Sequence, residues 1–165
     1  TDFGSWDVTI RGSFYDKYEQ VPGPRTQELI DAAESGVFPA GFPTPAGFGD
    51  LIRQDGNQEE KYTASVSWRM NDFGARVSGY HLGDFVQTSL GVREGQEWVV
   101  DSMTTYNASF DYHFEPFDTE TRLRLGVNNF TDERAPLADR YFGYFADAHR
   151  DLGRFWYLDL NLFFD

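Results

Sequence analysis

The chain has 165 residues, a formal net charge of -13 and no cysteine. The missing thiols exclude disulfide frameworks and thiolate metal sites, and the negative charge argues against nucleic acid as a partner. No stretch approaches the roughly 18 consecutive apolar residues that a membrane-spanning helix needs. Aromatic residues nevertheless make up 18% of the chain, although its mean hydropathy is -0.55. A window average erases apolar residues that recur at every second position, so their spacing is the informative quantity.

The first predicted strand covers residues 3–18 and alternates between two faces. One face carries Trp6, Val8, Ile10, Gly12 and Phe14, and the other carries Asp7, Thr9, Arg11, Ser13, Tyr15 and Lys17. Charges at alternate positions do not fit an ordinary sandwich core unless each of them is paired. A strand that separates lipid from a wet lumen has this arrangement.

About forty residues, 19–59, precede the next alternating segment. Within them Thr26 is the predicted N-cap of a short helix at residues 27–35, and Gly36 is its predicted end. A stretch rich in Pro, Gly and Phe follows and includes Phe42 and Phe48. Loops of this length are usually functional or disordered, and the aromatic residues favour a packed, functional loop.

Five more predicted strands follow, at residues 60–70, 73–82, 98–114, 121–130 and 154–164. Asn71 and Asp72 are predicted to form a tight turn between the second and third of the six strands. The connections alternate long, short, long, short, long, as in antiparallel hairpins with extended loops at one barrel rim and tight turns at the other. The predicted fold class is therefore all-β, with three hairpins of an antiparallel transmembrane β-barrel.

The last third of the chain contains motifs with a recognisable order. Residues 123–132 read Leu-Arg-Leu-Gly-Val-Asn-Asn-Phe-Thr-Asp and precede Glu-Arg-Ala-Pro at 133–136, and an aromatic run at 155–157 follows Gly153 and Arg154. Together with residues 100–106, these motifs resemble the C-terminal barrel portion of TonB-dependent outer-membrane receptors. The matching motif positions are Asn128, Asn129, Asp132, Pro136, Gly153 and Arg154.

The resemblance implies that the chain is part of a barrel of about 22 strands. The plug domain and the TonB box of that family would belong to an N-terminal part that is not in this sequence. Because Thr1 is preceded by no Met and no signal peptide, the chain is expected to be a processed or truncated piece.

The function that the resemblance implies is uptake of a nutrient across the outer membrane of a Gram-negative bacterium. The substrate would be an oligosaccharide, a ferric siderophore or a cobalamin-like solute, and no cofactor is expected. Implied partners are the remaining barrel strands, the plug domain, TonB, the barrel-assembly machinery and outer-membrane lipid. The long loops would be extracellular and the C-terminus periplasmic.

Apolar residues at alternate positions near the C-terminus resemble the signal that the barrel-assembly machinery reads. They are Trp156, Leu158, Leu160, Leu162 and Phe164. Asp165 departs from the pattern, because the aromatic residue is expected to be the last one.

Aromatic residues and one histidine in the predicted long loops are candidate substrate contacts. They are Phe42, Phe48, Phe85, Trp98, Tyr141, Phe142, Tyr144, Phe145 and His149. The alternative is that these rings pack the loops against one another. For Asn128, Asn129 and Asp132 a structural role is expected, since such side chains satisfy backbone groups where a strand ends. Gly153 permits a bend into the last strand, and Arg154 is expected to pair with an acid.

No catalytic arrangement surrounds any serine, and the three histidines lie far apart, so neither an enzyme nor a metal site is predicted. Residues 55–59 have a faint resemblance to a calcium loop but lack the full pattern. Two other readings stay open: a small self-contained outer-membrane barrel, and a soluble β-sandwich binding module.

Overall fold

The structure, a computed structural model, describes residues 3–39, 41–90 and 96–164. In these ranges the strands are β1 (Ser5–Phe14), β2 (Glu19–Gln20), β3 (Gly49–Asp50), β4 (Glu60–Met70), β5 (Phe73–Leu82), β6 (Phe85–Val86), β7 (Val99–Val100), β8 (Met103–Phe114), β9 (Glu120–Asn128) and β10 (Phe155–Phe163). Six of them form one antiparallel sheet in the order β1-β4-β5-β8-β9-β10. The predicted meander of antiparallel hairpins is confirmed, and no closed barrel forms within the described residues.

The predicted strand bounds are correct where a tight turn sets them. β4 and β5 begin and end as predicted, and Asn71 between them adopts a positive φ of 50°. The predicted strand at residues 98–114 is wrong as a single element, because residues 101 and 102 separate β7 from β8. β7 pairs with β6 inside a loop, whereas β8 pairs with β5 in the main sheet. The first strand is also shorter than predicted, since β1 ends at Phe14.

Helix α1 (Pro24–Glu34) lies in the connection between β1 and β4 and begins earlier than predicted. Thr26 is inside its first turn, so the prediction of a Thr26 cap is wrong. Gly23 is the N-cap and Pro24 takes the first helical position, where its missing N–H costs nothing. Gly36, with a φ of 76°, follows the last turn and donates to the Ala33 carbonyl. In the part of the chain that is described, no helix is long and apolar enough to cross a membrane.

The register of the sheet places apolar residues in rows that run across all six strands. One row is Trp6, Trp68, Ala75, Phe110, Leu125 and Leu158, and the next is Val8, Val66, Val77, Ala108, Val127 and Trp156. Trp6 is 64% exposed and Leu158 is 66% exposed. Among the described residues no second sheet packs on this apolar face.

The opposite face is polar, and its charged residues gather around Asp111. The Arg122 and Arg124 guanidinium groups donate to Asp111 Oδ1 at 3.3 and 3.2 Å, and His113 Nε2 lies 3.3 Å from Oδ2. Gly74 stands beside Asp111, and a Cβ at this position would come within 2.5 Å of Asp111 Oδ2. The sheet therefore neutralises a nearly buried carboxylate by pairing it with cations of neighbouring strands.

Gly126 and Tyr157 are directly opposite each other on β9 and β10, on the polar face. A Cβ at Gly126 would lie 2.1 Å from Tyr157 Cζ, because the tyrosine ring covers the glycine. Any larger residue at position 126 has to displace that ring.

We expect Gly126→Ala to destabilise the protein by roughly 1–3 kcal/mol, the range typical of overpacking. The double variant Gly126→Ala/Tyr157→Ala should be about as stable as Tyr157→Ala alone, since the obstructing ring is gone from both. Urea unfolding, followed by tryptophan fluorescence, measures the stability of each of these variants. Gly23→Ala is the control for added bulk, as its Cβ meets nothing within 4 Å and its cost is limited to the lower N-cap preference of Ala. If the urea midpoint of Gly126→Ala equals that of the wild type, the close contact between residue 126 and the Tyr157 ring would be contradicted.

Candidate ligand site at the loop end of the sheet

The three long connections of the sheet all lie at one end. They are the first long loop (residues 15–59), the second long loop (residues 83–102) and the third long loop (residues 129–154). The turns at residues 71–72 and 115–119 lie at the opposite end. The predicted alternation of long and short connections is thus present in the fold.

The second and third long loops share a small hydrophobic core. It consists of Phe85, Val100, Ala138 and Phe145, with Trp98 and Ala148 packed against it. The rings of Phe85 and Phe145 meet edge to face with centroids 5.1 Å apart. Phe85 is 0% and Phe145 3% exposed, so the prediction that they contact substrate is wrong. Their apolar area is used to hold two loops together.

His149 is also part of this packing rather than of a ligand surface. Its ring stacks on Phe85 with centroids 5.8 Å apart, and neither ring nitrogen has a hydrogen-bond partner among the described residues. The predicted substrate contact at His149 is therefore wrong as well, because the side chain is 1% exposed. Burial in apolar surroundings lowers the pKa of His149 and keeps the imidazole neutral.

The other predicted loop contacts do not converge on one place. Trp98 packs on the loop core and its Nε1 donates to the Leu137 carbonyl at 3.3 Å. Tyr141 and Phe142 are exposed, and Phe42 stacks on Phe38 at 4.3 Å. Phe48 and Tyr144 are half-buried.

Polar contacts bind the three long loops into one cap. The amide of Gln87 in the second loop donates to the Asp139 carbonyl and accepts from the Asp139 N–H, both at 2.9 Å. The Asp55 carboxylate in the first loop accepts from the backbone N–H and the hydroxyl of Thr88. That carboxylate is the first residue of the calcium-like segment, and the described residues contain no group of three or more His, Asp or Glu that could hold a metal ion.

The motif residues organise the passage from β9 into the third long loop. Asn129 accepts from the Glu133 N–H at 2.9 Å and donates to the Glu133 carbonyl at 2.7 Å. Asp132 accepts from the Arg154 N–H at 2.7 Å, next to Gly153, whose φ is 65°. The Arg154 guanidinium donates to the Phe130 carbonyl at 3.4 Å. Among the described residues it pairs with no acid, so that expectation is wrong.

The remaining motif positions add no chemistry of their own. Asn128 is the last residue of β9, opposite Phe155, and Pro136 is half-buried in the third long loop. The residues of the predicted assembly signal, Trp156, Leu158, Leu160, Leu162 and Phe164, are exposed on the apolar side of the last strand. Asp165 lies outside the described residues.

An ion pair closes the third long loop. The Arg134 guanidinium donates to both carboxylate oxygens of Asp151 at 2.7 and 2.6 Å, and the Ala135 N–H donates to Asp151 at 2.9 Å. These hydrogen bonds lower the pKa of Asp151 to about 2. The loop is held by a charged Asp151 at neutral pH.

A cavity of about 220 Å³ lies where the first long loop meets the polar face of the sheet. It is lined by Tyr15, Tyr18, Ile52, Gly56, Asn57, Gln58 and Lys61. The Tyr15 N–H donates to the Glu59 carbonyl, and Tyr18 accepts from the Leu51 N–H, so both tyrosines are held through their backbones. Gln58 is 3% exposed, and its Nε2 has no acceptor in the part of the chain that the structure describes. This group of residues, which combines aromatic, amide and cationic side chains, is the candidate ligand site.

Sequence reasoning missed this site. The alternation places Tyr15 and Lys61 on polar faces, but only the strand register shows that their two strand ends are neighbours. No family model, curated protein or solved structure matches this chain. The interpretation of the site therefore depends on its geometry and chemistry.

We expect Asp151→Asn to loosen the third long loop at pH 7, because an amide cannot form the charged pair with Arg134. The measurement is the rate of limited proteolysis within residues 129–154. In the wild type the contribution of Asp151 is present above about pH 4, its unfolded pKa, and is lost as pH falls towards the folded pKa of about 2. Asp147→Asn, an exposed position on the same loop, is the control. Equal cleavage rates for the two variants would refute the clamp.

Burial of His149 predicts a second pH dependence, with the folded pKa below the ordinary value of about 6.5. The loop core is then fully stable above that value and weakens as falling pH protonates the ring. Proteolysis of the second and third long loops should accelerate as the pH falls below about 6.5. His149→Phe keeps a ring on Phe85 and should remove the acceleration. An unchanged pH profile in that variant would assign the effect to other groups.

Proposed function

We propose that this chain is a section of the wall of an outer-membrane β-barrel, and that the complete protein is a TonB-dependent transporter for a nutrient. The observation that carries the proposal is the continuous apolar face of the six-stranded sheet, which nothing in the described residues covers. A monomeric soluble protein rarely leaves so wide an apolar surface in water. A strand of an outer-membrane barrel needs both an apolar face towards lipid and a polar face towards the lumen.

Aromatic residues at both borders of the apolar face support a membrane position. At the turn end, Phe73 and Tyr112 stack with centroids 4.9 Å apart, and Tyr112 stacks on Phe114 at 5.3 Å. At the loop end, Tyr106 contacts Phe130 at 5.9 Å. Tyr106 and Phe114 are eight residues apart on β8, roughly 27 Å along the strand. A tilt of about 40° reduces this to about 20 Å, near the roughly 25 Å apolar band of outer-membrane barrels.

The open edges of the sheet support membership of a larger closed structure. Within the described residues β1 pairs only with β4, and β10 pairs only with β9. Unpaired strand edges cannot face lipid, because no water is present to satisfy their backbone groups. Further strands that complete a barrel would pair both edges.

The loop cap supports a binding function at one rim. Three long loops gather there around a shared core and polar contacts, while the described residues form only short turns at the other rim. In outer-membrane barrels the longer loops are extracellular. Substrate would meet the cap first and then the polar face that lines the lumen.

The transporter is preferred over a self-contained small barrel on the motif resemblance at residues 98–164. The discriminating observation is the rest of the coding sequence, in which we expect a plug domain and further alternating strands up to a total of about 22. A β-sandwich is disfavoured because its second sheet, which should cover the apolar face, is absent from the described residues.

Two neighbouring positions test the membrane assignment. Val77 lies on the apolar face and Ser78 on the polar face of the same strand. In lipid, Val77→Arg should cost about 2–4 kcal/mol at mid-membrane depth, while Ser78→Arg faces the lumen and should be tolerated. We expect the natural-length protein in the outer-membrane fraction, with assembly lost in Val77→Arg only. If the sheet faces water, both substitutions should change stability by less than about 0.5 kcal/mol, and the protein should purify without detergent.

A further inference from the structure

We propose that the cavity formed by Tyr15, Tyr18, Gln58 and Lys61 binds an acidic sugar, a pyranose ring that bears a carboxylate. The inference rests on the proposed function, in which the polar face lines the lumen, and it names the substrate class. Size, aromatic surface, hydrogen-bonding capacity and charge each narrow the choice of ligand.

The size of the cavity favours a small ligand over a large chelate. Its volume is about 220 Å³, whereas sites for drug-sized ligands are roughly 300–1,000 Å³. A single six-membered ring fits this space. A ferric siderophore or a cobalamin-like solute would have to bind elsewhere.

Two tyrosine side chains give the cavity an amphipathic wall. Tyr15 and Tyr18 are each 49% exposed, and both line the cavity. A tyrosine offers an apolar ring together with a polar end. A pyranose ring has the complementary surface, with C–H groups on its faces and hydroxyl groups at its rim.

Gln58 supplies an unused donor. Its side chain lines the cavity, and its Nε2 has no hydrogen-bond acceptor in the described part of the chain. Buried donors without partners are destabilising and uncommon in native proteins. A hydroxyl or carboxylate oxygen of a ligand would satisfy this amide.

Lys61 favours an anionic ligand over a neutral one. Its ammonium group forms no ion pair within the described residues, although the chain has 27 acidic residues and 14 basic ones. Lys17, by contrast, is held by Glu19 at 2.6 Å. An unpaired cation in a partly enclosed cavity favours a carboxylate over a neutral group. Together with the aromatic wall and the amide, it selects an acidic sugar rather than a neutral one.

The test uses the natural-length protein, purified in detergent, and titration calorimetry with galacturonate, galactose and the methyl ester of galacturonate. We expect galacturonate to bind about 10- to 100-fold more tightly than the other two, the range of a charge-assisted hydrogen bond. Lys61→Gln should remove this preference. Lys17→Gln makes the same charge change outside the cavity and should leave it intact. The methyl ester tests the role of charge in the wild type, so the result does not depend on how well a variant folds.

Each outcome has a defined consequence. Equal affinity for acid, ester and neutral sugar would overturn the selection by Lys61. No binding by a protein that is found in the outer membrane would overturn the sugar site and leave the transport proposal standing. Preferential binding of galacturonate by a protein that proves soluble would support the site and overturn the transport proposal.

Discussion

The structure depends on an apolar sheet face that the described residues leave uncovered. Burying one large apolar side chain is worth about 1.5–3 kcal/mol, and this face repeats such residues over six strands. The free energy gained by covering this face with an apolar environment therefore exceeds that of any single hydrogen bond in the sheet. The opposite face cannot be the one in contact with lipid, since it carries the Asp111 cluster with Arg122 and Arg124. The two faces require two different surroundings, and a barrel wall between lipid and a polar lumen meets both requirements.

The strands could be predicted from local sequence, because the alternation of side chains with a two-residue period is a property of each single β-strand. Alternation of apolar and polar residues locates all six strands of the main sheet, and Asn71 tolerates the positive φ that its turn requires. The errors lie at strand ends and at caps. Thr26 has the chemistry of an N-cap, but Pro24 favours an earlier start, and two local signals of similar strength cannot be ranked without the fold.

The loops were harder to predict for a different reason. An aromatic residue in a loop can bind a ligand or pack a core, and its neighbours in sequence do not decide between the two. The partner of Phe85 is Phe145, 60 residues further along, so its packing role is visible only in three dimensions. The candidate site was missed for the same reason, because Tyr15 and Lys61 approach each other only through the pairing of β1 with β4. Gln58 gives no signal in the sequence, because only the structure shows that its Nε2 has no acceptor among the described residues.

The polar face differs between its two ends, and the difference bears on where a ligand would bind. Near the turns, Asp111 accepts from both Arg122 and Arg124, so each guanidinium group already has a carboxylate partner, although the Nε atoms of both have no acceptor within the described residues. Near the loops, and within the described residues, Gln58 Nε2 has no acceptor and Lys61 forms no ion pair, and both side chains line a cavity that two tyrosines border. A paired charge must give up its partner before it binds a ligand, whereas an unpaired donor gains one. An anionic ligand is therefore favoured beside Lys61 at the loop end, which in the proposed barrel is the rim where the long loops first meet the solute.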